Sequence, residues 1–382
     1  MTAALILTGG GARAAYQVGI LKALAEILPK RTHNPFPVIC GTSAGAINAI
    51  ALAGRPGPFA LRVKKLERMW QNLKAEDVYR TDFFGVTKNT AKLIGALLHS
   101  GYSRKAAVAL LNNEPLKEML EGYVRFRYID EAIASRELDA VCITAMHYDS
   151  GQSVSFFQGN QDNWKRNRRY GSRARLSIEH LMASTAIPAL FPPAKIGDHY
   201  YGDGAVRQLK PLSPALHLGA DKLFIIGVSN NIETSEPDTP ATHSPSVGQM
   251  ASHLLNSAFI DSTESDIETL KSINRLASHI SPEERKAIGA DHLKPIDYLC
   301  ISPSVGIDKI AEEYFHELPR SLRIFLHMMG ATKQGGGSSA ASYLLFEPGF
   351  CQQLLKLGYE DAMTQESDIR NFFKLPPENQ QT

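Results

Sequence analysis

Three short stretches carry residue types and spacings that suit attack on a carbonyl carbon. The first is Gly41-Thr42-Ser43-Ala44-Gly45. A serine on a sharp strand-to-helix turn holds its hydroxyl clear of the sheet, and glycines on both sides let strand and helix approach closely. The same serine falls at a helix N-terminus, where unpaired N–H groups and the dipole favour developing negative charge. The second stretch is Gly9-Gly10-Gly11-Ala12-Arg13. Three successive glycines expose their N–H groups at the start of a helix and make an anion site. Two functions compete for it. Gly9-x-Gly11-x-x-Ala14 fits a dinucleotide phosphate loop, and the same donors fit an oxyanion hole for a tetrahedral intermediate. The dinucleotide fingerprint requires an acidic residue at the end of the next strand. That strand ends in Cys40-Gly41-Thr42-Ser43, without an acid. The third stretch is Asp203-Gly204-Ala205. Asp-Gly is a common tight-turn pair, and an aspartate at a strand end can also take a serine proton directly.

These residues need rigid elements to hold them. Ala3 to Leu7 reads as a buried strand, followed by the glycine turn. A helix follows, with Val18, Leu21, Leu24 and Leu28 on one face and Pro29 as its stop. Val38 to Cys40 is the next strand, and Ala44 to Ala53 is a helix of small residues ended by Gly54. Strand, turn, helix and strand form a βαβ unit, so the sheet is expected to be parallel with a right-handed crossover. Further strands are expected at Leu138–Ala145, Ser153–Phe157, His199–Tyr201, Leu223–Val228 and 296–302.

Composition sets the class. The chain has 382 residues, 43% of them hydrophobic and 21% charged, enough to bury a large core. A net charge of +2 provides no global field for nucleic acid. Cys40, Cys142, Cys300 and Cys351 are far apart and read as reduced thiols. The N-terminus lacks a basic lead, and no apolar run approaches the ~20 residues of a membrane span. A cytoplasmic protein, peripheral to a membrane at most, is the expectation.

Residues 55–135 have a different texture. Arg55-Pro56-Gly57-Pro58 breaks the chain, and helical patterns follow at Ala60–Leu73, Thr90–His99, Ser103–Leu111 and from Pro115 onward. Their aromatics and leucines suit helices packed on the sheet edge, or an apolar cap that receives acyl chains. Lys165, Arg166, Arg168, Arg169, Arg173 and Arg175 form a basic run, with Trp164 and Tyr170 among them. It reads as a solvated loop or as a patch for anionic headgroups. Ser177 caps a helix that runs to Ala186. Residues 231–247 read as a mobile loop, 335–339 as another, and 342–359 as an apolar C-terminal element.

Taken in order, Gly9 to Arg13, Gly41 to Gly45, Ala183 to Pro193 and Asp203 to Ala205 resemble the blocks of the patatin-like phospholipase family. The likeness covers roughly residues 4 to 230. It implies a three-layer α/β/α fold with a central, mostly parallel sheet, of the patatin and cytosolic phospholipase A2 catalytic-domain type. It implies hydrolysis of acyl esters in lipids by a Ser-Asp dyad, with no metal and no cofactor. Carried over, Ser43 is the nucleophile, Asp203 the base, and the Gly9–Arg13 loop the oxyanion hole. Ala205 stands where many members have glycine. Residues 1–230 are then the catalytic core and 231–382 an extension packed on the same domain. Acyl transfer, or cleavage of simple esters or thioesters, uses the same dyad. A nucleotide- or anion-binding regulatory module is the reading from another class.

A dyad dispenses with histidine, and the chain has 12. None lies in a glycine- or turn-rich setting like those of Ser43 and Asp203. His199, four residues before Asp203, is the nearest rival, about 13 Å away along a strand unless the chain folds back at Gly202. An exposed aspartate near 3.9 is a weak base, so Asp203 is expected to be buried.

Overall fold

The computed structural model describes residues 2–80, 109–229, 246–290, 293–328 and 337–376. Most of the expected loop 231–247, the pattern at Thr90–His99 and most of that at Ser103–Leu111 lie outside the described residues.

The first strand, β1 (Ala3–Leu7), is an unbroken apolar run and is buried almost throughout, as a strand covered on both faces must be. It pairs in parallel with β2 (Val38–Thr42) on one side and β9 (Lys222–Ile226) on the other. Beyond β9 lies β10 (Asp297–Ile301), also parallel. Residues 296–302 thus add an edge strand to the same sheet. On the other side, β3 (Ala140–His147) pairs in parallel with β2. The sheet then changes character: β4 (Gln152–Gly159) is antiparallel to β3, reached through the Asp149–Gly151 turn.

The basic run is not a loop. It forms a hairpin of β5 (Trp164–Arg166) and β6 (Arg169–Arg173), and β6 pairs with β4. Trp164 packs on one face of this hairpin and Tyr170 on the other, each against one of the two apolar cores. A second hairpin, β7 (Ala194–Ile196) with β8 (His199–Asp203), joins β3 through β8.

Helices cover both faces. On one lie α1 (Ala15–Ile27), α2 (Ala44–Ala53), α3 (Phe59–Asn72) and the C-terminal helix Pro348–Thr364, enclosing the larger apolar core. On the other, Leu212, Ala215, Ile267 and Leu270 pack over Ile6, Cys40 and Ile225. This is the three-layer α/β/α arrangement.

The apolar C-terminal element is two helices, Gly337–Leu344 and Pro348–Thr364. The second crosses α1 at glycines: a Cβ on Gly19 would fall 2.1 Å from the Leu355 carbonyl oxygen, and one on Gly358 2.1 Å from that of Tyr16. Cys40, Cys142 and Cys351 are buried free thiols and Cys300 is half-buried. No helix among the described residues is long and apolar enough to cross a membrane.

Candidate active site

Two strands bring Ser43 and Asp203 together along one edge of β3. β4 occupies the other edge along its whole length. On the shared edge, β2 runs parallel to β3 and ends with Thr42 opposite Thr144. β8 runs the opposite way and ends with Asp203 opposite Ala145. The two C-terminal ends therefore meet head to head, at consecutive positions of one strand.

The turn after β2 is tight. Ser43 takes φ 56° and ψ −130° before α2 begins, a left-handed backbone that a side chain adopts only under constraint. A Cβ on Gly45 would lie 2.3 Å from the Leu7 carbonyl oxygen, and one on Gly41 2.4 Å from that of Gly45. Both positions require glycine because backbone passes where a side chain would stand. The Ser43 N–H donates to Ser184 Oγ at 2.9 Å, and Ser184 Oγ donates to the Thr144 carbonyl at 2.7 Å. Ser184, from the helix Ile178–Thr185, thus pins the strained turn to β3. Behind it, Thr42 Oγ1 donates to Gln208 Oε1 at 2.6 Å, and Gln208 Nε2 donates to Thr144 Oγ1 at 3.0 Å.

Asp203 is fully buried at 0% exposure. Its Oδ1 accepts from the Ala205 N–H at 2.9 Å, while Oδ2 is buried with no hydrogen-bond partner among the described residues. Burial raises its pKa to about 7, against the opposing pull of the Ser43 side chain and the Ala205 N–H. Ser43 thus stands near enough to favour the carboxylate, yet no hydrogen bond is closed to Oδ2.

The glycine loop lies against the same serine. A Cβ on Gly9 would come within 3.1 Å of the Ser43 Cβ. Gly11 has φ +56°, and a Cβ there would sit 2.2 Å from the Tyr343 carbonyl oxygen. A short 3-10 turn, Gly11–Ala14, follows. The Arg13 N–H is already bonded to the Gly10 carbonyl at 3.1 Å. The N–H groups at the very start of the turn have no partner within it. The Arg13 side chain is a strut to the C-terminal region: Nε donates to Ser342 Oγ at 2.7 Å, the guanidinium pairs with Asp308, and it lies 4.2 Å over the Tyr343 ring.

Ser43 and Gly11 form part of the wall of a pocket with about 490 Å³ of open space. Most of the lining is apolar, including Ile47, Trp70, Leu73, Leu116, Met119 and Phe346. The helices after residue 55 supply Trp70, Leu116 and Met119. Tyr343 and Phe346 come from the C-terminal segment and were not foreseen as part of this wall. Nor were Ser184 as the anchor of the turn or Gln208 as the amide behind it. Ser184 lies inside the Ala183–Pro193 block, which was the available signal. Gln208 left none.

The described histidines do not line this pocket. β8 is continuous, with Gly202 opposite Met146, so the chain does not fold back. His199 is exposed at the far end, with Nδ1 2.9 Å from Asp149 Oδ2. His180 packs edge-on against Phe156.

A family model described as patatin-like phospholipase matches residues 5–216. The chain belongs to this family. Among curated relatives, a cGAMP-activated phospholipase of Pseudomonas aeruginosa is 24% identical over 202 residues, covering 53% of this chain and 52% of that protein. Calcium-independent phospholipase A2-gamma of Rattus norvegicus is 24% identical over 216 residues, covering 56% of this chain and 25% of that one. The chain thus matches about half the length of the first relative and a quarter of the second. A solved structure of VipD from Legionella pneumophila aligns over 96% of this chain and 67% of its own at 12% identity, with a TM-score of 0.34, too slight a likeness to argue from.

Proposed function

We propose that the protein is a serine hydrolase of lipid acyl esters, of phospholipase A or lysophospholipase type, working through Ser43 and Asp203. The observation that carries this reading is Asp203 itself: a fully buried carboxylate with Oδ2 unpartnered, beside a strained serine in the wall of an apolar pocket. Near neutrality such a group exchanges its proton readily. Asp203 Oδ2 takes the Ser43 hydroxyl proton as Oγ attacks the acyl carbonyl carbon. The oxyanion is held by N–H groups of Gly9, Gly10, Gly11 and Ala12. Arg13 belongs to the loop as its anchor. Collapse of the intermediate transfers the proton from Asp203 to the leaving alcohol and leaves an acyl-Ser43 ester. Asp203 then takes a proton from the attacking water and returns it to Ser43 Oγ as the second intermediate collapses and frees the fatty acid.

The dyad reaction needs neither metal nor cofactor. We place residues 1–230 as the catalytic core and 231–382 as part of the same unit, since Arg13, Tyr343 and Phe346 bind the two together around the pocket. The substrate is a lipid met at a membrane surface, in a cytoplasmic setting. An alcohol acceptor in place of water would make the same dyad an acyltransferase, and a simple ester or thioester substrate would make it an esterase or thioesterase. A nucleotide-binding module lacks support from the second strand, which offers no carboxylate for a ribose.

The test is labelling by a fluorophosphonate together with mass-spectrometric detection of fatty acid released from a lipid panel. Wild-type protein is expected to label and release fatty acid, and Ser43→Ala to do neither. Labelling that persists in Ser43→Ala would overturn the assignment of the nucleophile.

A further inference from the structure

Alternation along β4 separates two environments. Val154 and Phe156 face the larger core, whereas Ser153, Ser155 and Phe157 face the opposite side of the sheet. On that opposite side is a second pocket, with about 380 Å³ of open space. Its walls bring together the hairpin of the basic run and the segment that follows Asp203. Arg168 and Arg169 come from the former, Arg207 and Lys210 from the latter, and among the described residues no carboxylate lines it.

The three arginines are held ready without an acidic partner among the described residues. Arg169 Nε donates to Ser213 Oγ at 3.2 Å, and Arg207 Nε donates to the Gly151 carbonyl at 2.7 Å. Both spend one N–H on a neutral oxygen and keep their terminal nitrogens. Lys210 alone of the four has an acidic partner among the described residues, Asp266 at 3.2 Å. The positive field is felt close by. His217 stacks on Trp164 at 4.3 Å, and its pKa is lowered to about 4, first by burial and then by Arg166 and Arg169. Such clustering of like charge costs self-repulsion unless an anion joins it. Guanidinium groups with free N–H edges match the geometry of phosphate oxygens. The hydroxyl-bearing Ser153 and Ser155 add donors to the lining.

We propose that this pocket binds a phosphate-bearing anion on the face of the sheet opposite Ser43. The site is distinct from the glycine loop, the other anion site legible in the chain. The phosphate belongs either to a soluble phosphate ester or diphosphate, or to the headgroup of an anionic lipid. The chemistry of recognition is shared by the two sources.

Titration calorimetry of the full chain with inorganic pyrophosphate at low ionic strength tests the soluble arm. Flotation with phosphatidylglycerol-containing vesicles, against vesicles of phosphatidylcholine alone, tests the lipid arm. The substitutions are Arg168→Asn with Arg169→Gln. Asparagine tolerates the left-handed backbone at Arg168, φ 59°. Lys195→Glu, exposed on β7, controls for net charge, and thermal melts confirm folding. Saturable pyrophosphate binding at one site per chain, weakened at least about tenfold by the double substitution and unchanged by Lys195→Glu, is the expected result. It should also weaken as salt is raised. Vesicle binding with the same arginine dependence but no pyrophosphate binding would assign the phosphate to a lipid. Absence of saturable binding to both probes would overturn the proposal. So would binding that survives the double substitution, which would place the anion at the glycine loop.

Discussion

Asp203 and Asp361 are both buried carboxylates, at opposite ends of the chain's logic. Asp361, on the helix Pro348–Thr364, is satisfied: its Oδ2 accepts from the Tyr16 hydroxyl at 2.8 Å and from the Ser304 N–H at 2.9 Å. It ties α1 to the C-terminal helix where their glycines cross. Asp203 is more deeply buried and keeps Oδ2 empty. A buried polar atom without a partner is a cost that folding alone does not explain. The contrast separates a carboxylate that holds structure from one held by structure for another purpose.

The largest expected effect breaks the two apart. Asp203→Asn should lower turnover of a chromogenic ester by about a thousandfold or more while the protein remains folded. Asp361→Ala should leave kcat per folded molecule nearly unchanged but cost about 1–3 kcal/mol in urea unfolding, because Tyr16 and Ser304 lose their acceptor. A stable, fully active Asp203→Asn protein would dissolve the distinction. The pH dependence follows from the same residue. Turnover should rise with pH through about 7, as Asp203 loses its proton and becomes a base. Stability should move the other way. A carboxyl whose pKa is raised on folding binds its proton more tightly folded than unfolded, so its contribution is present at low pH. That contribution is lost as pH rises from about 4 to about 7, the interval between the unfolded and folded values. Asp203→Asn should therefore melt no lower than wild type at pH 8.

Ser184 sharpens the picture from the nucleophile's side. It touches the Ser43 backbone, not the reacting atoms, so it is a positioning residue. Ser184→Ala should cut kcat by about ten- to a hundredfold with KM little changed, and Ser184→Thr, which keeps the hydroxyl, should restore much of it. Equal losses in Ala and Thr variants would reduce Ser184 to packing. A smaller effect concerns the apolar pocket. Met119→Trp should reduce release of long acyl chains several-fold and leave a short acetyl ester unaffected, read from a chain-length series.

Much of this geometry was legible because local rules and the sheet agree. The β1 run Ala3–Leu7 and the crowded turn Gly41–Gly45 need only backbone sterics and periodicity, and both are found where the residues put them. The basic run was misread as a loop because charge is a poor guide where a few aromatics anchor a strand: Trp164 and Tyr170 pack against the two cores from opposite faces of that hairpin. Long-range pairing was invisible. Arg13 meets Ser342 across 329 positions, and Tyr343 turns its carbonyl to Gly11, through contacts that no local pattern encodes. The head-to-head meeting of β2 and β8 likewise depends on register along β3, which a linear spacing does not reveal.

The smallest expected effect is the most exacting for the dyad. A serine hydrolase usually takes its base from histidine, and His199 shares a strand with Asp203. They are the first and last residues of the continuous β8, four steps apart, and at about 3.3 Å per step the two lie about 13 Å apart. Successive registers against β3, Tyr201 on His147 and Asp203 on Ala145, leave no fold to shorten that distance. His199 already has a partner in Asp149 and packs against His147 with ring centroids 4.7 Å apart. It has no path to the Ser43 hydroxyl, whereas Oδ2 of Asp203 is vacant beside it. His199→Ala should therefore keep turnover within about twofold of wild type, with the same fluorophosphonate labelling. Loss of both in a protein that still melts cooperatively would mean that the proton leaves Ser43 by a route through His199, and Asp203 would then be reduced to orienting rather than accepting.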